Sequence, residues 1–214
     1  MQAGTVYGVL MTHPEALAAL GEAVHRAPYK APPVAPVLYV KPRNTRLAAG
    51  EAPRIPADPG VVWLEASLGI VIGALAAQGR AAEAFDVVAG YAAVIDLCVP
   101  HPSFYRPSVA CRARDATLAV GAVVPRAAVA DPDALAVEVT IDGELVQRVS
   151  TAGRVRGVAQ LVEAVTAFMT LLPGDVLLLG PAPGAPLLRA GQRAGGNVGG
   201  VGTFERPPAR AEDA

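Results

Sequence analysis

The spacing of apolar and polar positions marks out a chain of short strands with a few helices. The run VVWLEASLGIVIG, residues 61–73, is rich in β-branched residues and bounded by Gly60 and Gly73, which predicts a strand. Side chains alternate across a strand, so Trp63, Glu65 and Ser67 share one face while Leu64, Ala66 and Leu68 share the other. Asp142-Gly143, between LAVEVTI and ELVQRVS, predicts a tight hairpin turn. VLYVK and VLLLG read as further strands. Thr12 and Glu15 have capping-box spacing ahead of Leu17, Leu20 and Val24, which predicts a helix over about residues 13–26. Helical spacing also predicts a helix from Glu83 to about Ile95, although Gly90 weakens it. The cleanest amphipathic helix runs from Val155 to Leu172, with apolar residues at 155, 158, 161, 162, 165, 168, 169 and 172.

Between these elements, prolines force APYKAPPVAP into an extended path, and the stretch from Asp96 to Gly121 reads as a long functional loop. Glycine and proline dominate from residue 181 to 202. Many short strands, two or three helices and glycine-rich corners imply a mixed α/β, β-rich fold with an antiparallel sheet or barrel. The expected organisation is a single domain over residues 1–206 followed by a flexible tail over 207–214.

Composition sharpens this picture. Hydrophobic residues make up 52% of the 214 and charged residues 17%, below the usual quarter, which points to a subunit interface. A net charge of -1 with scattered basic residues argues against a nucleic-acid partner. The apolar runs fall short of the roughly 18 residues of a membrane span. Cys98 and Cys111, without a signal-like start, fit reduced thiols and a cytoplasmic setting.

The acids Glu65 and Asp96 are the most suggestive chemical pair. Two carboxylates converging there would suit a hard divalent cation. The plainer alternative is that Glu65 faces solvent and Asp96 ends a helix. Lys41, Arg43, Arg106 and Arg112 could pair with a ligand carboxylate, with Tyr105 beside Arg106, and His101 could carry a proton near neutrality. An ordinary polar surface accounts for the same residues.

The ordered segments YVKPRNT (39–45), WLEASLGIVIG (63–73), VAGYAAVID (88–96), RARD to VG (112–121), IDGELVQ (141–147), LLPGDVLLLG (171–180) and GVGTFE (200–205) resemble the fumarylacetoacetate hydrolase family. APYKAPPVAPVLYVKPRNT and SFYRPSVACRARD resemble in particular the amino-terminal half of the bifunctional isomerase/decarboxylases of 4-hydroxyphenylacetate breakdown. The resemblance implies a β-roll or barrel with flanking helices, and Mg²⁺ or Mn²⁺ held by a Glu-x-Glu strand pair and an aspartate. Glu65 and Asp96 match two of these ligands, while Ser67 stands at the second glutamate and weakens or removes the cation site. Arg112 stands where the family has a lysine.

Two readings follow from the resemblance. In one, the chain is a decarboxylase/isomerase of unsaturated 2-oxo dicarboxylates acting through a metal-stabilised enolate. Glu65 and Asp96 would be its metal ligands, Arg43, Tyr105, Arg106 and Arg112 its substrate-binding residues, and Lys41 and His101 its catalytic residues, His101 as the most available proton carrier and not by the resemblance, which assigns it no such role. In the other, it is a catalytically degenerate subunit that assembles with an intact family partner. The expected assembly is a homodimer or a hetero-oligomer with a second family subunit.

Overall fold

A computed structural model of the chain describes residues 4–48, 50–103 and 108–212. Among these, the strands in chain order are β1 Val6–Leu10, β2 Val37–Lys41, β3 Arg54–Ile55, β4 Val61–Ile72, β5 Val88–Cys98, β6 Leu118–Val120 and β7 Val124–Pro125. They continue as β8 Ala136–Ile141, β9 Glu144–Ser150, β10 Val176–Leu178, β11 Leu187–Arg189, β12 Ala194–Val198, β13 Gly202–Glu205 and β14 Arg210–Ala211. The α-helices are α1 Pro14–Ala18, α2 Val109–Arg112 and α3 Val158–Thr166.

The long antiparallel pair β4 and β5 organises the main sheet, whose order is β2-β1-β10-β4-β5-β6, with β11 also on β4 and β7 on β5. Period-two geometry divides the pair into two faces. Leu64, Ala66, Leu68 and Ile70 of β4, with Tyr91, Ala93, Ile95 and Leu97 of β5, enter the principal core together with Leu161, Val162 and Val165 of α3. The opposite face carries a smaller apolar cluster in which Val71, Ala92 and Val94 meet Val6, Val176 and Leu178. Both faces are therefore covered, and Glu65, Ser67 and Asp96 lie on the second one. A second sheet, β13-β12-β8-β9, adds Val137, Val139, Ala194 and Val198 to the principal core. Neither sheet closes into a barrel among the described residues.

The Asp142-Gly143 turn joins β8 to β9 as expected, with both residues at positive φ. The helices differ from expectation. The first predicted helix breaks into α1 and a 3-10 turn at Gly21–His25, with Gly21 at positive φ between them. Residues 83–95 do not form one helix: a 3-10 turn at Ala81–Val87 leads into β5. All of β5 except Ala89 is buried, so neither face supplies the polar alternation that identifies a strand. Asp96 accordingly lies within a strand. The third helix is trimmed to α3, and the Asp133 carboxylate accepts the Val158 N–H at its start at 2.9 Å. The chain end, expected as a solvated tail, carries β14 in parallel pairing with β3, and the Glu212 N–H donates to Ile55 at 2.7 Å. No helix among the described residues is long and apolar enough to cross a membrane.

Candidate functional site

The antiparallel register of β4 and β5 sets Glu65 directly opposite Asp96. Directly opposed residues project from the same face about 5 Å apart, and like charges there repel. Both are buried, at 5% and 1% exposure, so the pair requires compensation inside the protein. It comes from two cations that are distant in sequence.

Lys41, the last residue of β2, places Nζ 2.7 Å from Asp96 Oδ1. Its three protons are directed to the Arg112 carbonyl at 2.5 Å, Thr117 Oγ1 at 3.1 Å and the Leu97 carbonyl at 3.4 Å, so that Asp96 Oδ1 is met by the charge and not by a hydrogen bond. Arg112 closes the short helix α2 and meets Glu65 in a two-pronged bond, Nη1 to Oε2 at 2.8 Å and Nη2 to Oε1 at 3.0 Å. Nη1 also lies 3.5 Å from Asp96 Oδ2. Tyr39, two residues before Lys41, donates its hydroxyl to Asp96 Oδ2 at 2.5 Å, and its ring lies 4.4 Å from the Arg112 guanidinium carbon. Gly8 makes room for that ring: a Cβ there would come within 2.0 Å of Tyr39.

Burial raises the Glu65 carboxyl above its ordinary pKa, against the opposing pull of Arg112. Burial alone would lower Arg112, but Glu65, Tyr39 and Asp96 outweigh it and hold the guanidinium above its ordinary value. Burial, then the Asp96 charge, raise the Tyr39 hydroxyl well above its usual range. The result is an interior cluster of two acids and two bases whose formal charges cancel.

Ser67 is engaged elsewhere. Its hydroxyl accepts the Gly180 N–H at 3.0 Å and has the Leu68 and Gly180 carbonyls at 3.2 and 3.3 Å. Gly180 itself has a φ of +95°, and a Cβ there would fall 2.2 Å from the Val9 carbonyl oxygen. Ser67 therefore fastens β4 to the turn after β10.

The other candidates separate. His101 packs edge-on to Trp63 with ring centres 5.4 Å apart, beside the cluster because Trp63 shares the strand face of Glu65. Its Nδ1 is 2.9 Å from the Ser103 carbonyl, and burial lowers its pKa. Arg43 is exposed on a 3-10 turn and lines an open cleft with Thr5, Arg46 and Asp175. Tyr105 and Arg106 lie outside the described residues. The solvent-facing alternative for Glu65 does not hold. Arg112 and Lys41, expected to meet a ligand or take part in chemistry, are occupied with the protein's own carboxylates. Tyr39 and Thr117 were not singled out from sequence; Tyr39 could have been, since it shares a strand face with Lys41.

Comparison with known proteins places this geometry. The family model "Fumarylacetoacetate (FAA) hydrolase C-terminal" matches residues 5–207. The chain belongs to the fumarylacetoacetate hydrolase family. The 4-hydroxyphenylacetate degradation bifunctional isomerase/decarboxylase of Escherichia coli is 35% identical over 205 residues, covering 95% of this chain and 47% of that protein. The chain thus spans about half the length of these bifunctional relatives. The solved 5-carboxymethyl-2-hydroxymuconate delta-isomerase of Mycobacterium smegmatis superposes with a TM-score of 0.81 at 26% identity, over 99% of this chain and 80% of that one. Maleylpyruvate hydrolase from Sphingobium sp. SYK-6, solved with manganese(II) and pyruvate, shares the fold with a TM-score of 0.79 at 22% identity, over 98% and 71%.

The residues of this family member do not fit a divalent cation. Both Glu65 oxygens accept from Arg112, Asp96 Oδ2 accepts from Tyr39, Asp96 Oδ1 has no hydrogen bond but lies 2.7 Å from the Lys41 ammonium, whose charge disfavours a second cation there, and Ser67 adds no charge. Among the described residues no three His, Cys, Asp or Glu side chains gather as a ligand set.

Proposed function

We propose that this chain is the assembling half of an isomerase/decarboxylase that acts on unsaturated 2-oxo dicarboxylates of aromatic breakdown, in the cytoplasm, beside a second family domain that carries the reaction. The observation that carries this reading is the charge balance at Glu65 and Asp96, where Arg112 and Lys41 already pair with the charges of both acids. A metal-held enolate on these carboxylates would need the Glu65 oxygens and Asp96 Oδ2, which the cluster has committed, and would set the ion beside the Lys41 ammonium. Substrate carboxylates would likewise have to displace Glu65 from a buried guanidinium, at the cost of an unpaired buried acid.

Two further observations support the assembling role. The bifunctional relatives are about twice as long as this chain. The outer strand β9 of the second sheet exposes Leu145 and Val146, and its free edge is unpaired among the described residues, which offers surface to a partner.

The test is an assay of the purified chain on 2-oxo dicarboxylates, alone and after mixing with a family chain that carries a complete acidic ligand set, with size-exclusion chromatography to follow assembly. Turnover confined to the mixture, together with co-elution, is the expected result. Turnover by the isolated chain that disappears in Asp96→Asn would overturn the reading.

A further inference from the structure

We infer that the Arg112 guanidinium stands in for a divalent cation between Glu65 and Asp96, and that Arg112 and Ser67 together make this centre self-neutralised and cation-free. The inference deepens the assembling-half reading, but its test reads cation binding rather than turnover, so the two can fail separately.

The geometry is that of a bridging cation. Nη1 of Arg112 reaches both acids, 2.8 Å from Glu65 and 3.5 Å from Asp96. A divalent ion would need carboxylate oxygens at roughly 2.0–2.6 Å, in the space this nitrogen takes. The guanidinium is also held in place from behind. The Arg112 backbone N–H donates to the carbonyl of Ser108, just before α2, at 3.0 Å, its carbonyl accepts Lys41, and the guanidinium carbon lies 4.4 Å from the centre of the Tyr39 ring.

Charge gives the same answer. With two acids and two bases the cluster is neutral, so an added divalent ion would bury two uncompensated positive charges. Ser67 completes the effect, because an acid at that place on the strand face would leave the cluster one charge negative. Its hydroxyl is instead spent on the Gly180 peptide. Replacing Arg112 by a neutral residue and Ser67 by an acid takes the net charge from zero to minus two, which a divalent ion would balance.

The probe is Mn²⁺, read by electron paramagnetic resonance for bound ion and by thermal unfolding for linkage. The wild-type chain should hold no Mn²⁺ up to roughly millimolar concentration and show no shift in Tm. Ser67→Glu/Arg112→Met should bind Mn²⁺ at least about 100-fold more tightly and gain Tm with added ion. Tight binding of one Mn²⁺ by the wild-type chain, lost in Asp96→Asn, overturns the inference, and this arm holds even if the double variant fails to fold. A folded double variant that binds no better than wild type also overturns it.

Discussion

Two arginine–glutamate pairs in this molecule share their chemistry and differ in their surroundings. Arg112 and Glu65 meet in the interior, with side chains 2% and 6% exposed. Arg148 and Glu138 face each other across β8 and β9, with the Arg148 side chain 68% exposed and its Nε 2.8 Å from Glu138. At the surface, water solvates either partner when the other is removed, so the pair adds little. In the interior nothing replaces a lost partner, and the cost of removing one exceeds the worth of the pair. A buried pair is therefore a commitment between residues, here spread over β2, β4, β5 and α2.

The largest effect follows from breaking that commitment on one side. Arg112→Met leaves Glu65 opposite Asp96 with only Lys41, paired to Asp96, to offset the two acids, and should cost about 3–5 kcal/mol in urea unfolding. Glu65→Leu/Arg112→Met removes one charge of each sign and leaves Asp96 with Lys41, so it should lose less than the single arginine variant. Equal losses in the two would show that the residues do not act as a pair.

These partners also mark where the sequence stops being informative. Strand β4 was readable because β-branched residues run between Gly60 and Gly73, and the β8–β9 hairpin because Asp142-Gly143 has one obvious use. Glu65 and Asp96 stood out as acids among apolar neighbours. Their neutralisation did not, because Lys41 and Arg112 reach them from elements dozens of positions away, and local pattern says nothing of such meetings. The same limit explains β5: buried on both faces, its Ala, Val and Ile positions matched helical spacing as readily as a strand. Ser67 showed that a charge was missing, but only the fold shows that its hydroxyl secures Gly180.

That contact supplies the next test. Ser67→Ala leaves the Gly180 N–H, buried beside Val9, without its acceptor and should cost about 1–2 kcal/mol. Amide exchange at Gly180 should speed up while exchange in α3 stays unchanged. A uniform change across the chain would mean that the hydroxyl does not act locally.

Between the two extremes lies His13, half-buried beside Arg154. Burial first, then the Arg154 charge, lower its pKa to about 4. In the unfolded chain an imidazole takes up its proton near 6.5, whereas in the fold it resists until about 4. His13 therefore contributes stability that is complete above pH 6.5, lost as the pH falls toward 4, and constant below that. Its partial exposure reduces the effect to about 1 kcal/mol. His13→Asn should flatten this part of the pH–stability curve, and an unchanged slope would show that His13 is not responsible.

The smallest effect belongs to the exposed pair. Hydrogen bonds from Arg148 and then Asn197, with the Arg148 charge, lower the Glu138 carboxyl below its usual range. Even so, Glu138→Gln should leave the Tm of the isolated chain unchanged within about 1 °C, because Arg148 turns to solvent once released. The comparison becomes sharper when the measurement is repeated in the proposed assembly. Arg148 lies on β9, whose exposed Leu145 and Val146 are part of the surface offered to a partner. Burial under that partner would make the Arg148–Glu138 pair resemble Arg112–Glu65, and Glu138→Gln would then weaken association while leaving the free chain as stable as before. If the variant behaves alike in both states, β9 remains in solvent and the partner must dock elsewhere.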